Sequence, residues 1–124
     1  YFRDGRWQGY DGVDFVGTID LGKPVSVHKI SVRFLQNIGS WIFLPTSVAF
    51  SVSENGQQFE PIATLKNWVS PRVNDVVVKP FTCNCSGKPV RWVRVEAKNR
   101  GVCPPWHPGA GGKAWIFLDE IRVD

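Results

Sequence analysis

Residues 99–113, with the sequence NRGVCPPWHPGAGGK, combine chemically useful side chains with a backbone that cannot form regular structure. Three prolines fix φ and remove donors, and four glycines permit conformations that other residues avoid. Trp106 and His107 lie in the middle of this loop, with Asn99 and Arg100 at its entrance. A flat ring beside fixed hydrogen-bonding groups is suited to holding a small polar molecule. Loops of this length in a small domain are more often functional than idle.

The elements that would position this loop are strands. Period-two alternation predicts them near 15–21, 28–34, 47–53, 59–65, 76–81, 91–98 and 114–123. No window has a helical stripe, and short strands separated by Gly, Pro and Asn turns indicate an all-β sandwich or barrel. The Gly- and Asp-rich residues 1–14 are predicted to be a loop. The expected core residues are Ile30, Val32, Phe34, Val48, Phe50, Val52, Trp92 or Val93, and Phe117.

Strand direction predicts which connections lie together. If each strand crosses the sandwich and the next runs back, the loops at 1–14, 35–45, 66–75 and 99–113 share one end. The turns at 22–27, 54–58 and 82–90 then share the other end. Four of the six tryptophans, namely Trp7, Trp41, Trp68 and Trp106, belong to the first group. We call that end the loop end.

The candidate binding residues all come from two of these loops. They are the rings Trp41 and Trp106 and the polar residues His107, Arg100, Asn99, Gln36 and Asn37. The alternative is that the tryptophan rings pack over the open end of the sandwich and extend its core. This packing role is expected for Trp7 and Trp68. Asn99 and Arg100 have a similar alternative, since their side chains could satisfy carbonyl groups of the loop itself.

Composition narrows the class of protein. The 124 residues fit one domain, 1–124, and the abrupt start inside a loop-like stretch suggests a fragment of a longer protein. The net charge of +4 comes from fifteen scattered Lys and Arg residues, and this absence of clustering argues against nucleic-acid binding. No apolar run approaches the ~18 residues of a membrane span, which argues against membrane insertion.

Catalytic motifs are not recognisable. Asp119 and Glu120 are neighbours on a strand, so their side chains should point to opposite faces rather than act as a glycosidase pair. The stretch GAGGKA departs from the phosphate-loop pattern, and no G-x-S-x-G is present. The sequence therefore predicts a non-catalytic domain.

Several stretches, taken in order, resemble a known family. DGRW, TIDLGKPVSVHKISVRF, SWIFLPTSVAFSVSENGQQF, RWVRVEAKNRG and AWIFLDEIRV are similar to the coagulation factor 5/8 type C (discoidin) domain. That family has the galactose-binding-like jelly-roll fold and includes the family 32 carbohydrate-binding modules. SWIFLP and CPPWHPGAGGKAWIFLDEI resemble the C-terminal accessory domains of bacterial chitobiases (β-N-acetylhexosaminidases).

The resemblance implies a function. It suggests a carbohydrate-binding accessory module of a secreted glycoside hydrolase, which holds a hexose or N-acetylhexosamine at the loop end. Its partners would be a glycan and the neighbouring catalytic domain, and its location secreted, periplasmic or at the bacterial cell surface. Two alternatives remain: a structural spacer packed on the catalytic domain, and an adhesion module that binds protein or lipid. The mixture of Trp with Asn, Gln, Arg and His in loops 35–45 and 99–113 favours sugar.

The resemblance also implies a structural Ca²⁺ bound through Asp4 and Glu120, with backbone carbonyl groups as further ligands. Their alternative roles are a turn residue for Asp4 and an arginine partner for Glu120. The family has a further strand upstream of the DGRW motif, and this sequence begins too late to contain it.

The three cysteines are predicted to be unpaired. Strand direction places Cys83 and Cys85 at the far end and Cys103 in the loop end, and a strand of six or seven residues spans ~20 Å. A disulfide tolerates at most ~7 Å between Cα atoms. The same separation argues against a zinc site built from the three cysteines and His107. Cys103 is expected to lie buried beneath Trp106.

Overall fold

The computed structural model describes the backbone of residues 2–72 and 76–124, and the side chains of 12–72, 76–119 and 121–124. Its strands are β1 (Phe2–Asp11), β2 (Phe15–Ser26), β3 (Lys29–Gln36), β4 (Ser47–Ser53), β5 (Glu60–Lys66), β6 (Val77–Asn84), β7 (Pro89–Lys98) and β8 (Trp115–Val123). They form two four-stranded sheets, ordered β1-β8-β3-β6 and β2-β7-β4-β5, in which all neighbours are antiparallel. The predicted all-β sandwich is confirmed.

The prediction of a loop over 1–14 is wrong, because most of that segment is strand β1. It pairs with β8, with Tyr10 opposite Ile116 and Asp11 opposite Trp115. The segment has weak local β propensity, so its composition does not indicate a strand. The strand forms because β8 offers an edge with which it can pair. β1 contains the DGRW motif itself. A family strand upstream of that motif would lie outside this sequence and stays a prediction.

The core lies between the sheets and is built from the alternating residues. Ile30, Val32, Phe34, Val48, Phe50, Val52 and Val93 are all buried, as predicted. Phe34 and Phe81 meet edge to face, with ring centroids 5.6 Å apart. The prediction for Phe117 is wrong. On β8 the alternate residues Ile116 and Leu118 face the core, while Phe117 is half-buried beside Trp115.

The strand directions agree with the predicted two ends. At the loop end, the Asn99 backbone N–H donates to Asp14, and the Thr46 N–H donates to the Lys98 carbonyl. At the far end, the Cys85 N–H donates to the carbonyl of His28. Within the described residues the only helix is a single 3-10 turn, Ile38–Ser40, and no helix there is both long and apolar enough to cross a bilayer.

The cysteines occupy the places that strand direction predicts, and all three are free. Cys83 and Cys85 lie at the far end, where desolvation, followed by the neighbouring Cys83 thiol, raises the pKa of Cys85 to about 11. Cys103 is buried at the loop end in a small cluster with Ile38 and Phe43, against which Trp106 packs. Desolvation also raises the pKa of the Cys83 and Cys103 thiols, so all three cysteines act as small apolar groups rather than thiolates.

The ion pair between Asp20 and Arg91 gives a testable pH dependence. The guanidinium of Arg91 donates two hydrogen bonds, of 2.7 and 2.9 Å, to the carboxylate. These bonds, together with the Gly22 N–H, lower the pKa of Asp20 from 3.8 to about 2. Because the folded pKa lies below the unfolded one, the contribution to stability is complete above pH 4 and is lost as the pH falls towards 2.

We therefore expect Asp20→Asn to be less stable than the parent at pH 5, and the difference to shrink as the pH approaches 2. Urea unfolding of both proteins across this range measures it. Asp124→Asn, at a longer ion pair of 3.5 Å with Arg122, is the control. A difference that stays constant with pH would contradict the assignment.

Candidate functional site

Asn99 fixes the base of the long loop. Its side-chain nitrogen donates to the carbonyls of Val13 and Ala114, each at 3.1 Å, and its side-chain oxygen accepts from the Gly101 N–H at 2.7 Å. Asn99 is buried, and its amide is occupied by the backbone around it. Both ends of the amide serve the loop, which favours the structural alternative, and a ligand contact of Asn99 stays a prediction.

His107 fixes the tip of the loop. It is buried, and Nε2 lies 2.6 Å from the Ile38 carbonyl oxygen while Nδ1 accepts from the Gly109 N–H at 2.9 Å. This pattern assigns the proton to Nε2, which donates to Ile38. Both ring nitrogens are engaged by backbone groups, so His107 has none to offer a ligand, and the predicted ligand contact is not supported.

Gln36 has the same kind of role between two other loops. It is buried, with Nε2 donating to the Ser70 carbonyl at 3.1 Å and Oε1 lying 3.4 Å from the Leu44 nitrogen. Its side chain thus joins the loop that follows β3 to the loop that follows β5. The predicted ligand contact is again not supported, because the amide is enclosed and used at both ends.

The His107 ring is surrounded by aromatic side chains. Its centroid lies 6.0 Å from that of Trp41, 5.5 Å from that of Phe43 and 6.0 Å from that of Trp106, all near edge to face. Trp41 and Trp106, which come from different loops, are therefore held next to the same buried ring. The prediction that these two tryptophans lie at one end of the sandwich is confirmed.

Trp41 forms the most open aromatic surface of this cluster. Its backbone has φ of 64°, and its carbonyl accepts from the Trp115 N–H at 2.9 Å. A Cβ at Gly109 or Gly112 would come within 2.6 or 2.8 Å of the indole, so the ring lies directly on glycine backbone. Trp41 is nevertheless 40% exposed. One side of the ring is thus supported, and another is open to solvent.

Two arginines border the cluster. The Arg72 guanidinium carbon lies 4.7 Å from the Trp106 centroid, and that of Arg100 lies 5.7 Å from the Phe43 centroid. Arg72 was missed by the sequence prediction, although its position in the predicted loop 66–75 was the available signal. Asn37 is half-buried and its side chain makes no capping hydrogen bond. We define the loop-end site as Trp41, Trp106, Arg72, Arg100 and Asn37.

The remaining predicted residues are not members of the loop-end site as defined. Trp68 is 86% exposed, so the prediction that it serves as packing is wrong. The side chains of Trp7, Asp4 and Glu120 lie outside the described part of the structure, where the backbone pairs Arg3 with Glu120. The calcium expectation therefore stays a prediction. Among described residues no three His, Cys, Asp or Glu side chains cluster as metal ligands.

The chemistry available at the loop-end site is stacking and hydrogen-bond donation. At the base of the long loop, the Asp14 carboxylate accepts from the Asn99 N–H at 2.8 Å. Asp119, one of the adjacent acidic pair on β8, is buried and pairs with Arg33. The site can therefore hold a flat, oxygen-rich molecule between an indole ring and guanidinium groups.

Gly109 gives a test of how Trp41 is supported. We expect Gly109→Ala to displace the indole and to lower the free energy of unfolding by about 1 kcal/mol, since the added methyl group would overlap the ring. The matched control is Gly39→Ala, where a Cβ would meet only the Asn37 side chain at 3.6 Å. Urea unfolding and the Trp41 indole N–H signal measure the two effects. An unmoved indole signal in Gly109→Ala would show that the ring does not rest there.

Comparison with solved structures identifies the fold class as the galactose-binding-like, discoidin-type β sandwich. The C-terminal domain of a chitobiase from Bacteroides fragilis superposes with a TM-score of 0.56 at 19% identity, covering 98% of this chain and 76% of that chain. A CBM32 module from Clostridium perfringens, solved in complex with GalNAc-β-1,3-galactose, gives 0.55 at 17% identity, covering 92% and 75%. A second CBM32 module of that organism gives 0.54 at 14% identity, covering 98% and 94%. No protein-family model and no curated protein matches the chain.

Proposed function

We propose that this domain is a non-catalytic carbohydrate-binding module that holds a hexose or N-acetylhexosamine at the loop-end site. The observation that carries the proposal is Trp41, a solvent-open indole supported from behind by glycine backbone at Gly109 and Gly112. A pyranose ring has apolar C–H faces and hydroxyl groups at its edges. It therefore suits a flat ring with a few hydrogen-bonding groups around it.

Rigidity at the loop end supports binding over simple loop packing. The buried polar residues Asn99, His107 and Gln36 fix the three loops from inside, and each uses its hydrogen bonds on backbone groups. This arrangement places Trp41 and Trp106 before a ligand arrives. Preorganisation of this kind lowers the entropy lost on binding. Affinity for a single sugar should still be modest, at ~0.1–1 mM.

The polar groups of the loop-end site favour binding over hydrolysis. Its charged members, Arg72 and Arg100, are permanently cationic. Glycoside hydrolysis uses two carboxyl groups set ~5 to 9.5 Å apart. Two carboxylates that the sequence brings to attention are already engaged, Asp14 by the Asn99 N–H and Asp119 by Arg33. A role in holding the sugar is therefore the function that these residues support.

The structural neighbours suggest the kind of protein in which the domain occurs. One is the C-terminal domain of a chitobiase, and another was solved with a GalNAc-containing disaccharide. We infer by analogy that the chain serves as an accessory module of a secreted bacterial glycoside hydrolase, next to its catalytic domain.

A glycan array tests the proposal, with the 124-residue domain displayed on labelled streptavidin tetramers so that avidity compensates for the modest affinity. We expect signals on glycans that end in galactose, N-acetylgalactosamine or N-acetylglucosamine, and their loss in the Trp41→Ala/Trp106→Ala double variant. Trp68→Ala is the control, because its exposed ring lies outside the loop-end site. Absence of signal from a folded domain would contradict the proposal and favour the structural-spacer alternative.

A further inference from the structure

A second surface with binding character lies on the side of the sandwich. β5 and β6 are the edge strands of opposite sheets, and an open groove of about 580 Å³ runs between them. We call it the lateral groove. It is lined in part by Trp68, Lys66, Lys79, Thr64, Thr82 and Phe81, and shares no lining residue with the loop-end site.

Trp68 presents a stacking surface on a fixed backbone. Its side chain is 86% exposed, although its neighbours are anchored: the Asn67 N–H donates to the Thr46 carbonyl, and the Ser70 carbonyl accepts from Gln36. The Asn67 side chain also caps the Val69 N–H at 2.8 Å. Exposing an indole to solvent on an anchored backbone is unfavourable, and such an exposed apolar surface commonly marks a contact surface.

The charge of the groove indicates what it would accept. Its lining includes the ammonium groups of Lys66 and Lys79 and, in the described part of the chain, no carboxylate. Neither lysine makes an ion pair with a described residue, and Lys79 Nζ lies 5.6 Å from the Phe81 centroid. Thr64 adds a hydroxyl group, while the hydroxyl of Thr82 donates to Ser31 Oγ at 3.3 Å. Lysines also protect sheet edges against strand addition, but that role does not require an exposed Trp beside them.

We propose that the lateral groove is a second saccharide site, selective for a pyranose that carries a carboxylate, that is, a uronic-acid residue. The Trp68 indole would stack on the sugar face, and Lys66 and Lys79 would hold the carboxylate. Both the ligand class and the residues differ from those of the loop-end site, so the two proposals stand or fall separately.

The test compares methyl β-D-glucuronide with methyl β-D-glucoside, which differ only at C6, where a carboxylate replaces a hydroxymethyl group. In ¹⁵N-labelled protein, the glucuronide should shift the Trp68 indole N–H signal with a dissociation constant in the millimolar range. The glucoside should do so much more weakly. Trp68→Ala and Lys66→Ala/Lys79→Ala should each weaken glucuronide binding by about fivefold or more. Trp41→Ala and the surface-charge control Lys29→Ala should leave it unchanged.

Three results would overturn the proposal: a Trp68 signal that does not move at tens of millimolar glucuronide, equal binding of the glucoside, or loss of glucuronide binding in Trp41→Ala. The last result would move the glucuronide to the loop-end site. Because Trp68, Lys66 and Lys79 are all at least partly exposed, these variants should keep the fold, and urea unfolding checks this.

Discussion

Replacing His107 by alanine is expected to lower the free energy of unfolding by about 3 kcal/mol. The substitution removes a buried ring from among Trp41, Phe43 and Trp106 and leaves a cavity. It also removes the partners of two backbone groups, the Ile38 carbonyl and the Gly109 N–H. Buried polar groups left without partners add to the cost of the cavity. Equilibrium unfolding in urea measures the change.

Trp68→Ala is the matched control for this prediction. It also deletes an aromatic side chain from a loop, and a larger one. Because Trp68 is 86% exposed, the free energy of unfolding should change by no more than about 0.5 kcal/mol. If the two variants lost similar stability, burial of His107 could not be the reason. The sugar affinity of His107→Ala should also fall, because Trp41 and Trp106 would lose the ring that both of them contact.

Replacing Trp41 by alanine is expected to weaken sugar binding about fivefold to tenfold, equivalent to about 1 to 1.4 kcal/mol. The indole supplies the open stacking face of the loop-end site, and no other described ring there is as exposed. Isothermal titration with N-acetylgalactosamine or galactose, at protein concentrations suited to millimolar affinity, measures the loss. Since the parent affinity is ~0.1–1 mM, the variant would approach the limit of detection.

Conservative replacement separates stacking from folding in this experiment. Trp41→Phe keeps a flat ring on the glycine support, so it should retain more of the affinity than Trp41→Ala. Both variants should unfold cooperatively, because Trp41 is 40% exposed and lies outside the main core between the sheets. Equal affinities in the parent and Trp41→Ala would remove Trp41 from the site, whatever the behaviour of the phenylalanine variant.

The sequence contained enough to predict the strands and their directions. Apolar residues at alternate positions, such as Ile30, Val32 and Phe34, predict a strand with one face in the core. Counting strand reversals then placed Trp41 and Trp106 at one end, and Cys103 away from Cys83. The strand β1 could not be predicted in this way, because its pairing depends on the edge of β8, which is distant in sequence.

The roles of polar residues could not be predicted in the same way. Gln36, Asn99 and His107 have the residue types of ligand contacts, yet in the fold they serve backbone groups supplied by Ser70, Ala114 and Ile38. Which partner a polar side chain meets depends on how closely separate loops approach, and spacing along the chain does not encode that distance. The exposure of Trp68 and the place of Arg72 over Trp106 depend on the same tertiary detail.

The central claim, that a sugar binds at the loop-end site, is tested most directly by chemical-shift mapping. Titrating ¹⁵N-labelled protein with N-acetylgalactosamine, and separately with galactose, should move the indole N–H signals of Trp41 and Trp106 together. The backbone signals of Arg72 and Arg100 should move with them, while the indole signals of Trp68 and Trp92 stay in place. Shifts confined to residues outside the loop-end site, or no shifts with either sugar, would contradict the account.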